Sequence, residues 1–173
     1  SPLTIAWATD YEGVGNAYGF TLGNRLGRRA AEEAGIVIDP DAEIAVHHCP
    51  PHSFQPTPGK VNVLWTAWEF GEFTPVETEG LKRANAVFVT ARFLVDAVGK
   101  AAGVPTYYAP QGIRVERFAY KERKRPKRGE PFRFLWLGAP NDRKGWRHAL
   151  AAWRAFADDA TCELYMKTTF ASG

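Results

Sequence analysis

Apolar residues fall along this chain in short packets of alternating period. Leu3-Thr-Ile-Ala-Trp7 is an apolar run of strand length, followed by the loop Asp10-Tyr-Glu-Gly-Val-Gly15. From Asn16 to Ala34, residues Phe20, Gly23, Leu26, Gly27, Ala30 and Ala34 recur at three- and four-residue steps. That is a helix period, and Gly35 supplies its stop. Ile36-Val-Ile38 and Glu43-Ile-Ala-Val46 predict two short strands on either side of Asp39-Pro-Asp41. Pro50, Pro51, Pro56 and Pro58 make the segment 49–60 a loop, since they rule out a regular helix or central strand. Val61 to Trp65 is the next predicted strand, Val76 to Ala84 a helix, Ala86 to Val89 a strand, Arg92 to Ala102 a helix, and Thr106 to Ala109 a strand.

Strands alternating with helices predict an α/β fold with a mostly parallel sheet and helices on both of its faces. This Rossmann-like domain is expected over residues 1–118, and the proline- and charge-rich stretch 119–131 reads as a basic linker. The pattern then restarts with a strand at 132–137, a helix over about 143–157 and a strand at 162–166, the beginning of a second Rossmann-like unit spanning 132–173. There is no internal repeat at a solenoid period.

Composition adds limits. Apolar residues make up 45% of the 173 positions and aromatics 13%, enough for a buried core. No run of eighteen apolar residues offers a transmembrane helix. The opening Ser-Pro-Leu-Thr-Ile lacks the basic and then apolar pattern of a signal peptide. Cys49 and Cys162, two lone and distant cysteines, fit a reducing compartment, so the cytoplasm is the expected location. The net charge of +3 is concentrated: residues 121–128 hold six basic and one acidic side chain, and the rest of the chain carries −2. Such a run suits nucleic acid or the anionic surface of a membrane, but a solvated linker is the simpler reading. No RNA-binding aromatic signature or helix-turn-helix pattern accompanies it, so no nucleic-acid partner is expected.

Candidate chemistry gathers after strands. In a parallel sheet, ligands sit outside the carboxyl ends of the strands. Gly13-Val-Gly15-Asn16, Trp68-Glu69-Phe70, Thr90-Ala-Arg92 and Pro110-Gln-Gly112 all fall at such ends, as does Arg143-Lys144 in the second unit. Gly13 and Gly15 are spaced wrongly for a dinucleotide fingerprint, yet they let backbone approach a ligand. Glu69, just past an apolar strand, is placed to bond a sugar hydroxyl or act as a base, or else is an ordinary loop carboxylate. Arg143 and Lys144, beside Gly145 at a helix start, suit a diphosphate by charge and by free backbone N–H groups. Two metal readings are weak. His47-His-Cys-Pro-Pro-His52 lacks the second ligand pair that structural zinc needs, and Asp39-Pro-Asp41 has the composition of a turn.

Taken in order, these segments resemble a known family. Phe-Leu-Trp-Leu-Gly138 followed by Arg-Lys-Gly145 and a helix is similar to the start of the second domain of GT-B glycosyltransferases, specifically glycosyltransferase family four. The first domain resembles it too, through Gly13 and Gly15, Val-Leu-Trp-Thr-Ala-Trp-Glu69, Ala-Asn-Ala-Val-Phe-Val-Thr90 and Tyr-Ala-Pro-Gln-Gly-Ile113. The resemblance implies a transferase that moves a sugar from a nucleotide-diphosphate donor to an acceptor with retention, without a bound metal ion or other cofactor. Lys144 matches the family lysine that neutralises the departing diphosphate, with Arg143 beside it. Gly13 and Gly15 match the loop approaching that diphosphate from the other domain, and Asn16, Trp68 and Glu69 stand on the acceptor side. Lys144 and Glu69 are thus the expected catalytic residues.

Three departures bear on this reading. Ala139 stands where the family often has Arg, Arg114 where it usually has Asp, and Glu69 near a position that many members fill with His. The family's donor-holding Glu-x₇-Glu pair would lie beyond Gly173. The expectation is therefore that this chain alone is not a competent transferase, and that a further C-terminal part or another copy covers its open sheet. The alternative is a non-catalytic nucleotide- or sugar-binding subunit of the same fold.

Overall fold

The computed structural model describes residues 2–8, 19–113, 115–122, 127, 129–158 and 161–168. They form two compact units, Ser1–Arg114 and Val115–Gly173.

Unit 1 is an α/β layer structure, compatible with a Rossmann-like domain. Its strands are β1 (Thr4–Ala8), β2 (Val37–Ile38), β3 (Ile44–His48), β4 (Val61–Thr66), β5 (Ala86–Val89) and β6 (Thr106–Tyr108). They form one six-stranded sheet in the order β2-β1-β3-β4-β5-β6, every pair parallel. Consecutive strands lie on opposite sides of β1, which places a topological switch point between β1 and β3.

Residues alternate between the two faces of each strand. On one face Leu64, Val87 and Val89 are fully buried under α2 (Pro75–Lys82), α3 (Phe93–Ala102) and a 3₁₀ turn (Pro51–Ser53), which add Leu81, Leu94, Val98 and Phe54 to the core. The helix α2 starts where it does because Thr74 and Glu77 form a reciprocal capping box, with Pro75 in the first turn. On the other face α1 (Gly19–Glu33) lies over Trp7, His48 and Trp65. Gly23 and Gly27 permit that approach: a Cβ at Gly27 would stand 2.6 Å from Trp65 Cζ3, and one at Gly23 would stand 2.3 Å from His48 Cε1.

The link from β2 to β3 crosses β1 without a helix. Ala6, Ala42 and Ala45 are the small buried residues packed together at that crossing, and Asp41 N–H bonds Asp39 Oδ1 to close the turn, as the Asp-Pro-Asp composition predicts. The segment 49–60 is mostly loop, with the single 3₁₀ turn inside it. Buried Asn62 holds this loop: its Oδ1 accepts from Thr57 N–H (2.7 Å), and its Nδ2 donates to Thr57 O and Lys60 O.

Unit 2 pairs β7 (Phe132–Leu137) in parallel with β8 (Cys162–Lys167). Between them run a 3₁₀ turn (Asp142–Lys144), α4 (Trp146–Trp153) and a second 3₁₀ turn (Arg154–Phe156). The predicted helix over 143–157 is thus divided. Asn141 caps the first turn, and Gly145 takes a left-handed conformation (φ +66°) that ends it and restarts the chain as α4. Among the described residues, no helix is long and apolar enough to cross a membrane.

Candidate functional site

The all-parallel order brings the carboxyl ends of the unit 1 strands to one edge of the sheet. After β4, Trp68 packs against the core, stacked on Phe73 (6.4 Å, 21°) and edge-on to His52 and Phe70. With Trp68 anchored, Glu69 is presented to solvent. After β5, Arg92 lays its guanidinium 4.5 Å above the ring of Tyr108 at the end of β6. After β6 comes Gln111, whose Nε2 lies 3.4 Å from His48 Nε2 at the end of β3. The predicted Trp68-Glu69, Thr90–Arg92 and Pro110–Gly112 segments therefore share one rim. Gly13, Gly15 and Asn16, and also Arg114, lie outside the described residues.

His48, considered in sequence only as part of a weak metal motif, is a buried residue at this rim. It is fully buried, stacked on Trp65 at 4.4 Å with Phe20 5.0 Å away. Burial alone pushes its pKa down to about 4, so the ring is neutral at pH 7. Its Nδ1 has no hydrogen-bond partner among the described residues. Around it Asn24 Nδ2 donates to His48 O (2.9 Å), Trp7 Nε1 to Asn24 Oδ1 (3.2 Å), and Trp65 Nε1 to Ala109 O (3.2 Å). The neighbouring His47 points to the opposite face, where its Nε2 bonds Asn62 Oδ1 at 2.9 Å. Two histidines turned to opposite faces of one strand cannot share an ion. Among the described residues, no cluster of metal-ligating side chains occurs.

A shallow cavity of about 250 Å³ follows β1 past the end of short β2, lined in part by Trp7, Ala8, Arg28 and Lys60. The Lys60 ammonium bonds Pro40 O (2.5 Å) and Ala42 O (2.6 Å) there, so it is held by backbone. No described residue of the predicted site lines this cavity.

In unit 2, Lys144 is held through its backbone. Its N–H bonds Asn141 Oδ1 (3.1 Å), and its C=O accepts from Trp136 Nε1 (3.1 Å). The stem lies over the end of β7, where a Cβ on Gly138 would stand 3.4 Å from Lys144 Cβ and Cγ. The ammonium group is exposed and has no partner among the described residues. Arg143, next to it, is also exposed. Beyond the turn, Arg147 bonds Asp142 Oδ1 (3.1 Å) and covers the Trp146 ring at 4.4 Å. Asn141, three residues before Lys144, was the available sequence signal for this turn, since Asn is a preferred cap. Trp136 carried no signal beyond its strand position.

The arrangement offers two kinds of chemistry, each in its own unit. Unit 1 presents a carboxylate, a guanidinium and an amide at one rim, the amide of Gln111 lying against the buried neutral imidazole of His48. Unit 2 presents an uncompensated ammonium at the mouth of a β-turn-α unit, the usual seat of an anionic ligand. Compared with protein-family models, curated proteins and solved structures, the chain gives no match.

Proposed function

We propose that this chain belongs to a retaining glycosyltransferase of the GT-B type, similar to glycosyltransferase family four, and uses a nucleotide-diphosphate sugar as donor. The observation that carries the reading is Lys144: a backbone-clamped lysine whose stem lies against Gly138 at the carboxyl end of β7 and whose exposed ammonium has no partner among the described residues. An ammonium fixed there stabilises the diphosphate as its bond to the sugar breaks, the moment at which negative charge grows on the leaving oxygen. The parallel sheet of unit 1, with Glu69 at its ligand-binding rim, supports an acceptor-side role for that unit. In this reading Glu69 orients the acceptor hydroxyl, and Lys144 rather than a metal ion supplies the positive charge.

Calorimetric titration of the chain with UDP, GDP and ADP tests this. One of the three is expected to bind, and Lys144→Ala is expected to weaken it at least about tenfold, the scale of one charge-assisted contact. Failure of all three nucleotides to bind would sink the reading. Binding with no transfer from any nucleotide-sugar would leave a nucleotide-binding subunit in its place.

A further inference from the structure

One polar group near Lys144 has no assigned role. Thr168 follows β8 directly, and its hydroxyl is buried with no hydrogen-bond partner among the described residues. The register places it. Leu137 pairs with Lys167 and Gly138 N–H bonds Lys167 O (3.2 Å), so Thr168 lies across from Gly138 at the carboxyl ends of the strand pair. Side chains alternate along a strand, so Thr168 shares a face with Met166 and Leu164, across from Trp136 and Phe134. That is the face on which Lys144 crosses Gly138 and on which Trp153 meets Phe134.

The Lys144 stem and an unpaired hydroxyl thus stand on one face, at the ends of two strands roughly 5 Å apart, with the Lys144 ammonium within a side chain's reach of that hydroxyl. A buried hydroxyl without a partner is uncommon in a folded protein and calls for something to bond. A phosphate oxygen satisfies both groups at once, accepting from Thr168 Oγ1–H while its charge meets the Lys144 ammonium. An apolar ligand satisfies neither.

We infer that Thr168 and Lys144 form a two-point phosphate site, with the Thr168 hydroxyl as a further binding residue for the diphosphate group. The inference rests on the donor reading above and adds a residue that the resemblance does not supply.

Titration with inorganic pyrophosphate and with the tightest-binding nucleoside diphosphate tests it, using wild type, Thr168→Val, Thr168→Ser and Lys144→Ala. Valine keeps the shape and removes the hydroxyl, so both ligands should bind about tenfold more weakly. Serine restores the hydroxyl and should bind within about twofold of wild type, which separates a lost hydrogen bond from a disturbed fold. If Lys144→Ala weakens binding while Thr168→Val leaves it unchanged, the Thr168 assignment falls and the donor reading survives. If Thr168→Ser binds as weakly as Thr168→Val, the hydroxyl is not the binding group and the assignment also falls. If neither pyrophosphate nor any nucleotide binds wild type, both readings fall.

Discussion

Strands β4 and β7 make an instructive pair. Each has six residues, each is mostly apolar, and each runs into a loop carrying a predicted site residue: Val-Asn-Val-Leu-Trp-Thr before Glu69, and Phe-Arg-Phe-Leu-Trp-Leu before Lys144. Yet Leu64 of β4 is fully buried, whereas Leu135 of β7 is 68% exposed. Neighbours make the difference. β4 has β3 on one side and β5 on the other, with α2, α3 and the Pro51–Ser53 turn feeding the core against one face. β7 pairs only with β8 among the described residues, and Leu135, Leu137 and Tyr165 share an exposed face. Parallel strands are usually buried on both faces. An apolar strand is therefore a demand for cover, and among the described residues only unit 1 meets that demand from within itself.

The largest expected effect sets the two leucines against each other. Leu64→Ala should destabilise unit 1 by about 2–5 kcal/mol, the cost of a cavity in a packed core, whereas Leu135→Ala should change unit 2 by less than about 0.5 kcal/mol. Native-state hydrogen exchange, read on the β4–β5 amides for the first and the β7–β8 amides for the second, gives each cost separately. Comparable losses would mean that β7 is packed in solution and that the contrast is wrong.

The next effect belongs to unit 1 alone. The native His48 ring titrates near 4 against an ordinary 6.5, because burial penalises the cation. Between those values the unfolded chain takes up a proton that the native chain refuses. Stability from this group is complete above pH 6.5 and drains away as pH falls to 4, by about 3 kcal/mol in all. The difference in unfolding free energy between wild type and His48→Gln should follow that curve, with other titrating groups cancelling. A difference flat across pH 4–6.5 would show that His48 is solvated.

Secondary structure was legible because its signals are local. The predicted strands and helices appear with ends moved by a few residues, apart from the 143–157 helix, which is divided, since apolar period and glycine or proline stops act within a few positions. The parallel sheet followed from the alternation. The strand order did not: nothing local announces that β3 lands on the far side of β1, and the alanines at that crossing are visible only once packed together. The site divides in the same way. Lys144 was readable from charge beside a glycine, but its clamp depends on Trp136, eight residues back and on the other side of the loop. Adjacent His47 and His48 look alike in sequence, and only the pleat sends one to the Asn62 network and the other under Phe20. Thr168 was invisible because its position is defined by strand register.

The smallest effect probes the exposed face of unit 2 directly. Arg133 and Glu163 are cross-strand partners on β7 and β8, with Arg133 Nε donating to Glu163 Oε2 at 2.9 Å and Tyr165 Oη donating to the same oxygen at 3.0 Å. The Arg133 hydrogen bond first, and the Tyr165 hydroxyl second, hold the Glu163 carboxyl below its ordinary value. A lowered carboxylate contributes stability above its unfolded value and loses it as pH falls through the folded one. Here that contribution is screened by solvent on both partners, so unfolding should barely register it. Titration should register it clearly: carboxyl NMR of Glu163 is expected to move upward in Arg133→Gln, and by less in Tyr165→Phe. Salt separates the two states of this face. If β7–β8 is open as described, added salt should release the Glu163 shift and raise its pKa, because exposed pairs are screened. A shift that persists in high salt would mean that Leu135, Leu137 and Tyr165 are covered in solution, and unit 2 would then resemble unit 1 more closely than its exposed leucines suggest.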